Sequence, residues 1–222
     1  MRITYLGHSC FLLDISGLRV LIDPFLSGNP SSPIKPDDLD RIDVVLATHD
    51  HEDHLGDLIY IAKKFNAKTV GVYEFANWLS QNGVKNVVSA NIGGKIKIGS
   101  EVTIKIVPAV HTCSIGTPVG YIISNNKESI YHAGDTDYMP YMRFIGLMYD
   151  LKVACLPIGG WYTMGIDEAI EAVIDLKPKY VIPMHYNTFE AIKTNVNLFK
   201  RLIGEKTTSE CLILKPGESV EI

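Results

Sequence analysis

The chain has 222 residues, 46% hydrophobic and 21% charged, enough to bury a large core within one α/β domain at the upper end of the usual size range. A net charge of -4, from 21 basic and 25 acidic residues, gives no reason to expect nucleic acid or an anionic membrane as the main partner. It leaves small substrates open, phosphorylated ones included.

Met1 to His8 turns polar too early for a secretory signal, and no later stretch has the roughly 18 uncharged apolar residues of a spanning helix. Cys10, Cys113, Cys155 and Cys211 are scattered without a CxxC pair, which fits small buried thiols in a reducing compartment. The expectation is a cytoplasmic protein with no membrane partner. The number of subunits is left open.

In chain order, Ile3 to Leu6, Cys10 to Ile15 and Leu18 to Ile22 predict a strand meander broken at Gly7 and Ser16-Gly17. Pro24, Pro30, Pro33 and Pro36 make Asp23 to Asp40 a loop, and Val44 to Ala47 reads as a buried strand. Leu55, Leu58, Ile59, Ala62 and Phe65 then recur at helical spacing. Next come a strand at Thr69 to Val72, a helix around Glu74 to Gln81, and half-wet strands at Lys95 to Ile98 and Val102 to Ile106.

Further strands are predicted at Gly120 to Ser124, Ser129 to Ala133, Val153 to Ile158 and Tyr180 to Met184, with helices interleaved. One cover helix, Asp167 to Leu176, carries Ala169, Ile170, Val173 and Ile174 on one face. The other is predicted from about Thr188 to Ile203, opening on the capping pattern Asn187-Thr188-Phe189-Glu190 and ending at Gly204. No repeat, low-complexity tract or linker divides the chain, so residues 1–222 are read as one domain.

Function is concentrated where the buried strand ends, in His49-Asp50-His51-Glu52-Asp53-His54, which holds three of the seven histidines. Neutral nitrogens and carboxylates crowded at a strand end are donors for first-row divalent ions, whereas a packed core tolerates few of them unpaired. His49 and His51, two apart in extended backbone, point the same way and can share one ion. Asp53 and His54 fall where a helix begins and can face a second. Other ligands must come from other strand ends: His111 after Val102 to Ala109, Asp135 after Gly134, and His185 after Tyr180 to Met184.

This order, HxHxDH, then a lone histidine, then Gly134-Asp135-Thr136, then a strand-terminal histidine, resembles the metallo-β-lactamase superfamily of metal-dependent hydrolases. The likeness runs from Asp23 to His185. It implies a four-layer αββα sandwich, one metal on His49, His51 and His111, a second on Asp53, His54 and His185, and Asp135 bridging them. Asp23 would anchor the ligands from behind. Gly7-His8-Ser9-Cys10, Pro157-Ile158-Gly159-Gly160, Tyr162-Thr163-Met164-Gly165 and Pro183-Met184-His185-Tyr186-Asn187-Thr188-Phe189 are similar to the compact ascorbate-6-phosphate lactonase-like group.

Two cations sharing a water can bring its pKa from 15.7 towards roughly 7, which makes hydroxide the expected nucleophile, with Asp53 as the catalytic carboxylate that orients it. The donors suit Zn or Mn, with Fe and Ni also accommodated. The expected substrate is a small phosphorylated ester, lactone or phosphodiester. An RNA or DNA nuclease, a di-iron oxidoreductase and an inactive sensor remain alternatives.

The other candidates divide between site and scaffold. His132 is read as a core or supporting histidine, Asp50 and Glu52 as solvated or supporting, and Cys113 as structural. His8 stays open between a group facing substrate at the rim and a structural turn residue. Trp161, Tyr162, Asn187 and the Asp23 to Asp40 loop are candidate pocket lining by their nearness to ligand-bearing strand ends.

Overall fold

A computed structural model describes all residues from Met1 to Ile222. Strands β1 (Arg2–Tyr5), β2 (Phe11–Ile15) and β3 (Leu18–Ile22) form the expected antiparallel meander. Ser16 and Gly17 turn the hairpin with φ of 49° and 76°, the left-handed geometry that two-residue hairpins need. Strand β4 (Val44–Leu46), buried at every residue, pairs parallel to β3. Helices α1 (Glu52–Leu55) and α2 (Leu58–Phe65) follow it, then β5 (Thr69–Val72), α3 (Tyr73–Gln81) and β6 (Val87–Ala90), which pairs parallel to β5.

The second sheet runs antiparallel from β7 (Lys95–Ile98) through β8 (Val102–Pro108) and β9 (Val119–Ser124) to β10 (Ser129–His132). It continues in parallel through β11 (Val153–Pro157), β12 (Tyr180–Met184) and β13 (Glu210–Cys211). Helices α4 (Tyr141–Met148), α5 (Ile166–Leu176) and α6 (Val196–Lys206) lie between these strands in the chain. Strand β14 (Ser219–Glu221) returns to β1 and completes the first sheet in the order β14-β1-β2-β3-β4.

The layers are helix, sheet, sheet, helix, as the sequence predicts. The first sheet is covered by α2 and the second by α5 and α6. Buried faces of both sheets merge into one apolar core of 59 residues. Tyr121 of β9 crosses between the sheets, its hydroxyl donating to Ala47 O at 2.9 Å and Val70 O at 3.0 Å. A fully buried tyrosine needs such acceptors, because an unpaired hydroxyl there costs about 1–3 kcal/mol.

Several expectations are corrected. The helical pattern after the histidine cluster is cut at Gly56, where φ is 42° and an added Cβ would stand 2.4 Å from Pro24 O. The loop after β3 thereby packs close against the end of the ligand loop. The predicted helix over Thr188 to Ile203 does not form as one piece: a 3-10 turn covers Glu190–Ile192, and α6 starts beyond Asn195, whose side chain accepts from Leu198 N at 3.1 Å. Asn187 does not cap a helix because it takes φ 57° and accepts from Thr194 N at 2.8 Å, closing the turn after β12. At its other end α6 passes Gly204 and stops at Lys206. Ile174 is exposed, and Ala172 and Leu176 take the place expected for it on the buried face of α5.

Candidate metal centre

The expected donors converge at one edge of the sandwich. His49, His51, Asp53 and His54 follow β4, His111 follows β8, Asp135 follows β10 and His185 follows β12. Each is a strand-end residue at the carboxyl side, the usual position of ligand sites in open sheets. Backbone hydrogen bonds tie these loops together: Asp23 N to Leu46 O at 2.9 Å, Val119 N to Thr48 O at 3.0 Å, and Asp137 N to Val110 O at 3.0 Å. Thr136 Oγ1 accepts from Val110 N at 2.9 Å, and Asp50 Oδ1 accepts from Ser114 N at 2.9 Å. Asp50 therefore supports the loop that carries His111.

Two groups of donors result. One nitrogen from each of His49, His51 and His111 lies within 4.8 Å of the others. His49 Nε2 and His51 Nδ1 are 2.9 Å apart. The second group is His8, Asp53, His54 and His185, with one ligating atom of each within the same limit. Asp135 stands between the groups. Its Oδ1 is 3.2 Å from His54 Nε2, and its Oδ2 is 3.1 Å from His185 Nε2 and 3.6 Å from His111 Nε2.

Behind the donors, Asp23 fixes two rings at once. Its Oδ2 is 2.8 Å from His54 Nδ1, which turns Nε2 of that ring towards Asp135. Thr48 donates from Oγ1 to the same oxygen at 2.9 Å and stands 3.1 Å from His49 Nδ1, while Thr48 N donates to Asp23 Oδ1 at 2.7 Å. Each hydrogen bond leaves the opposite ring nitrogen facing the cluster, the arrangement that orients histidine ligands in metal sites. Asp23 thus contacts His54 and Thr48 behind the donors. The participation of Thr48 was not legible in the sequence.

Electrostatics match this geometry. Burial lowers His49 to about 3 and His8 to about 4, with His54 nearby acting in the same direction. Burial also lowers His111. Against burial, which disfavours its charge, His54 is pushed well above the usual histidine range by Asp135 and Asp23. Asp135 and Asp53 are both held below the usual carboxylate range in spite of burial: Asp135 by His54 and His185, Asp53 by its bond with His8 and by His54. The centre therefore sets neutral imidazoles at His49, His8 and His111, and a charged one at His54, around carboxylates that stay ionised.

That donor set fits divalent metal. His54 Nε2, His111 Nε2 and Asp135 Oδ1 are buried and lack a well-directed hydrogen-bond partner, a costly state that coordination would relieve. Positive charge is already favoured between Asp23 and Asp135, where His54 gains it by protonation. Asp23→Asn keeps the shape but removes the charge behind His54. It is expected to weaken metal binding by about 10–100-fold, measured by chelator competition; unchanged affinity would contradict the anchoring role.

Comparison with known proteins agrees with the geometry. Residues 18–186 match the family described as Beta-lactamase superfamily domain. A UPF0173 metal-dependent hydrolase of Methanopyrus kandleri is 48% identical, with 100% of both chains covered. One from Pyrococcus furiosus is 46% identical over the same full coverage. The chain belongs to the UPF0173 metal-dependent hydrolase family. Among solved structures, the metallo-hydrolase Igni18 of Ignicoccus hospitalis superposes with a TM-score of 0.94 at 39% identity, covering 99% of this chain and 97% of that one.

The remaining candidates of this UPF0173 hydrolase fall into place around the centre. His132 is fully buried and bonded to Ser9 O at 2.9 Å, outside both donor groups. His8 is not at the rim: it is buried against Asp53, with its ring centroid 4.2 Å from that of His185. Asn187 is exposed and its amide serves the local turn, so it does not join the cluster. Cys113 bonds to Ile115 O at 3.6 Å and burial raises its pKa, so it is no activated nucleophile. No helix is long and apolar enough to cross a membrane.

Proposed function

We propose that this metal-dependent hydrolase is binuclear and cleaves a small ester, lactone or phosphodiester, phosphorylated substrates included. The observation that carries the reading is Asp135, whose two buried oxygens face imidazoles of both donor groups. A shared carboxylate lowers the repulsion between adjacent cations. His49, His51 and His111 would hold one ion, Asp53, His54 and His185 the other, and Asp135 would bridge. Zn or Mn suits the donors best, and Fe or Ni could occupy the same set.

When bound, two such ions supply a water acidic enough to give hydroxide near neutral pH and a Lewis acid for the carbonyl or phosphoryl oxygen. Asp53, ionised and partly exposed, is the carboxylate that would accept a hydrogen bond from such a water and orient it. The imidazoles are held by Asp23 and Thr48 before substrate arrives, so little reorganisation is needed at the moment of reaction. No serine or cysteine nucleophile takes part.

Two clefts are lined by residues adjacent in the chain to the donors. One, of about 440 Å³, includes Val110, Asp137, Trp161, Tyr162 and Glu168. Trp161 is 81% exposed there, at a φ of 58°. The other, of about 500 Å³, is lined by Asn187, Lys193, Thr194 and Asn195. Aromatic and acidic residues in one cleft and a single lysine in the other favour a small substrate over a polyanionic backbone.

The test is a panel of p-nitrophenyl esters, lactones, phosphodiesters and RNA oligonucleotides run with Mn, Zn, Ni and Fe. Turnover of one of the first three classes with Mn or Zn is expected. RNA cleavage at physiological salt, or oxygen consumption by the iron form, would replace this reading with a nuclease or an oxidoreductase.

A further inference from the structure

We infer that His8 is a positioning residue for Asp53: it donates from Nε2 to the Asp53 carboxylate, Thr188 fixes the required tautomer, and His8 does not ligate metal. The inference rests on the role proposed above for Asp53. His8 Nε2 is 3.1 Å from Asp53 Oδ2, and His8 Nδ1 is 3.0 Å from Thr188 Oγ1. Both nitrogens are thereby engaged, although distance alone would admit His8 to the second donor group.

Donor and acceptor chemistry separates the two roles. An ionised carboxylate only accepts, so the hydrogen shared with Asp53 sits on Nε2; in a neutral ring Nδ1 is then the acceptor. The donor to it is the Thr188 hydroxyl, whose other acceptor, Tyr186 O, is at the outer limit of 3.5 Å. A ring nitrogen that carries hydrogen has no lone pair for a metal. Held through Oδ2 by His8, the Asp53 carboxylate is fixed in orientation for the ligand and water-orienting roles proposed above.

The placement of the ring is built in. His8 takes φ 57°, outside the ordinary range for a residue with a Cβ. Its carbonyl accepts from His185 N at 2.8 Å and from the Tyr5 hydroxyl at 3.1 Å. Phe25 and Phe189 pack on the ring with centroids 5.8 Å and 5.5 Å away, and the side chain is fully buried. Strand β1, the turn after β12 and the ligand loop after β4 therefore meet on this one imidazole.

Four variants of the full chain test it: His8→Ala, His8→Gln, Thr188→Val and Thr188→Ser. Each is loaded with Mn²⁺ for kinetics on p-nitrophenyl acetate and bis(p-nitrophenyl) phosphate, and with Co²⁺ for metal count and visible spectrum. His8→Ala is expected to keep both ions and its KM, to lose about 10–100-fold in kcat, and to change the Co²⁺ spectrum. His8→Gln, whose amide can donate to the same carboxylate, should recover most of kcat and the parental spectrum. Thr188→Val should follow His8→Ala in part, and Thr188→Ser should not.

Loss of one ion from both His8→Ala and His8→Gln would make His8 a ligand and overturn the inference. Parental kcat and spectrum in all four would overturn it as well. If the parent binds two Co²⁺ but hydrolyses neither probe, the proposed hydrolysis of such substrates fails, while the spectra and the metal counts still decide the position of His8. Should His8→Ala not fold, His8→Gln and the Thr188 pair carry the same comparison.

Discussion

Replacing Asp53 by alanine is expected to lower kcat/KM by on the order of a thousandfold, about 4 kcal/mol of transition-state stabilisation, while the protein keeps its fold. The side chain lies at the start of α1 and is 30% exposed, and its hydrogen bond is with His8. Little packing is lost when it is removed. On the proposed mechanism the chemical loss is large because a donor to the second ion and the acceptor that orients the attacking water disappear together. Asp53→Asn should lose almost as much, since the shape remains but the negative charge does not. Kinetics at saturating metal, set beside the melting temperature and near-UV circular dichroism, separate the two effects; full activity in a folded Asp53→Ala protein would refute the mechanism.

Metal removal is expected to act on stability as well as on turnover. Each ion that binds only the folded chain stabilises it by about 4 kcal/mol when free metal exceeds its Kd a thousandfold. For a chain of this size, each kcal/mol moves Tm by roughly 2–4 °C. Chelation should therefore abolish hydrolysis and lower Tm by on the order of 8–16 °C for each ion removed, both reversed on adding Mn or Zn back. The cost falls where His54 Nε2, His111 Nε2 and Asp135 Oδ1 are left without partners. A chelated protein that melts at the same temperature would mean that these atoms are satisfied without metal.

Much of this site is legible in the sequence, because ligands at strand ends leave a local mark. The apolar run Val44 to Ala47 breaks abruptly into His49-Asp50-His51-Glu52-Asp53-His54, and Tyr180 to Met184 stops at His185 in the same way. His111 has no such local contrast and is recognised through its place between the other motifs. The supports are different in kind. Thr48 finds Asp23 25 residues away and Thr188 finds His8 180 residues away, so their hydroxyls become anchors only after the strands are assembled.

The same distinction accounts for the fold. Strands that alternate or run apolar are visible one by one, as with β2 and β8. The edge strands β13 and β14, two and three residues long, depend on partners far along the chain. Asn187 carries the capping pattern but closes the turn after His185 instead, and Asn195, with no glutamate three residues on, starts α6.

Elemental analysis of active protein, purified without added metal, tests the binuclear centre most directly. Two divalent ions per chain are expected, with specific activity rising as the second site fills. Full activity at one ion per chain or fewer would contradict a hydrolase that works with a pair of metals across Asp135.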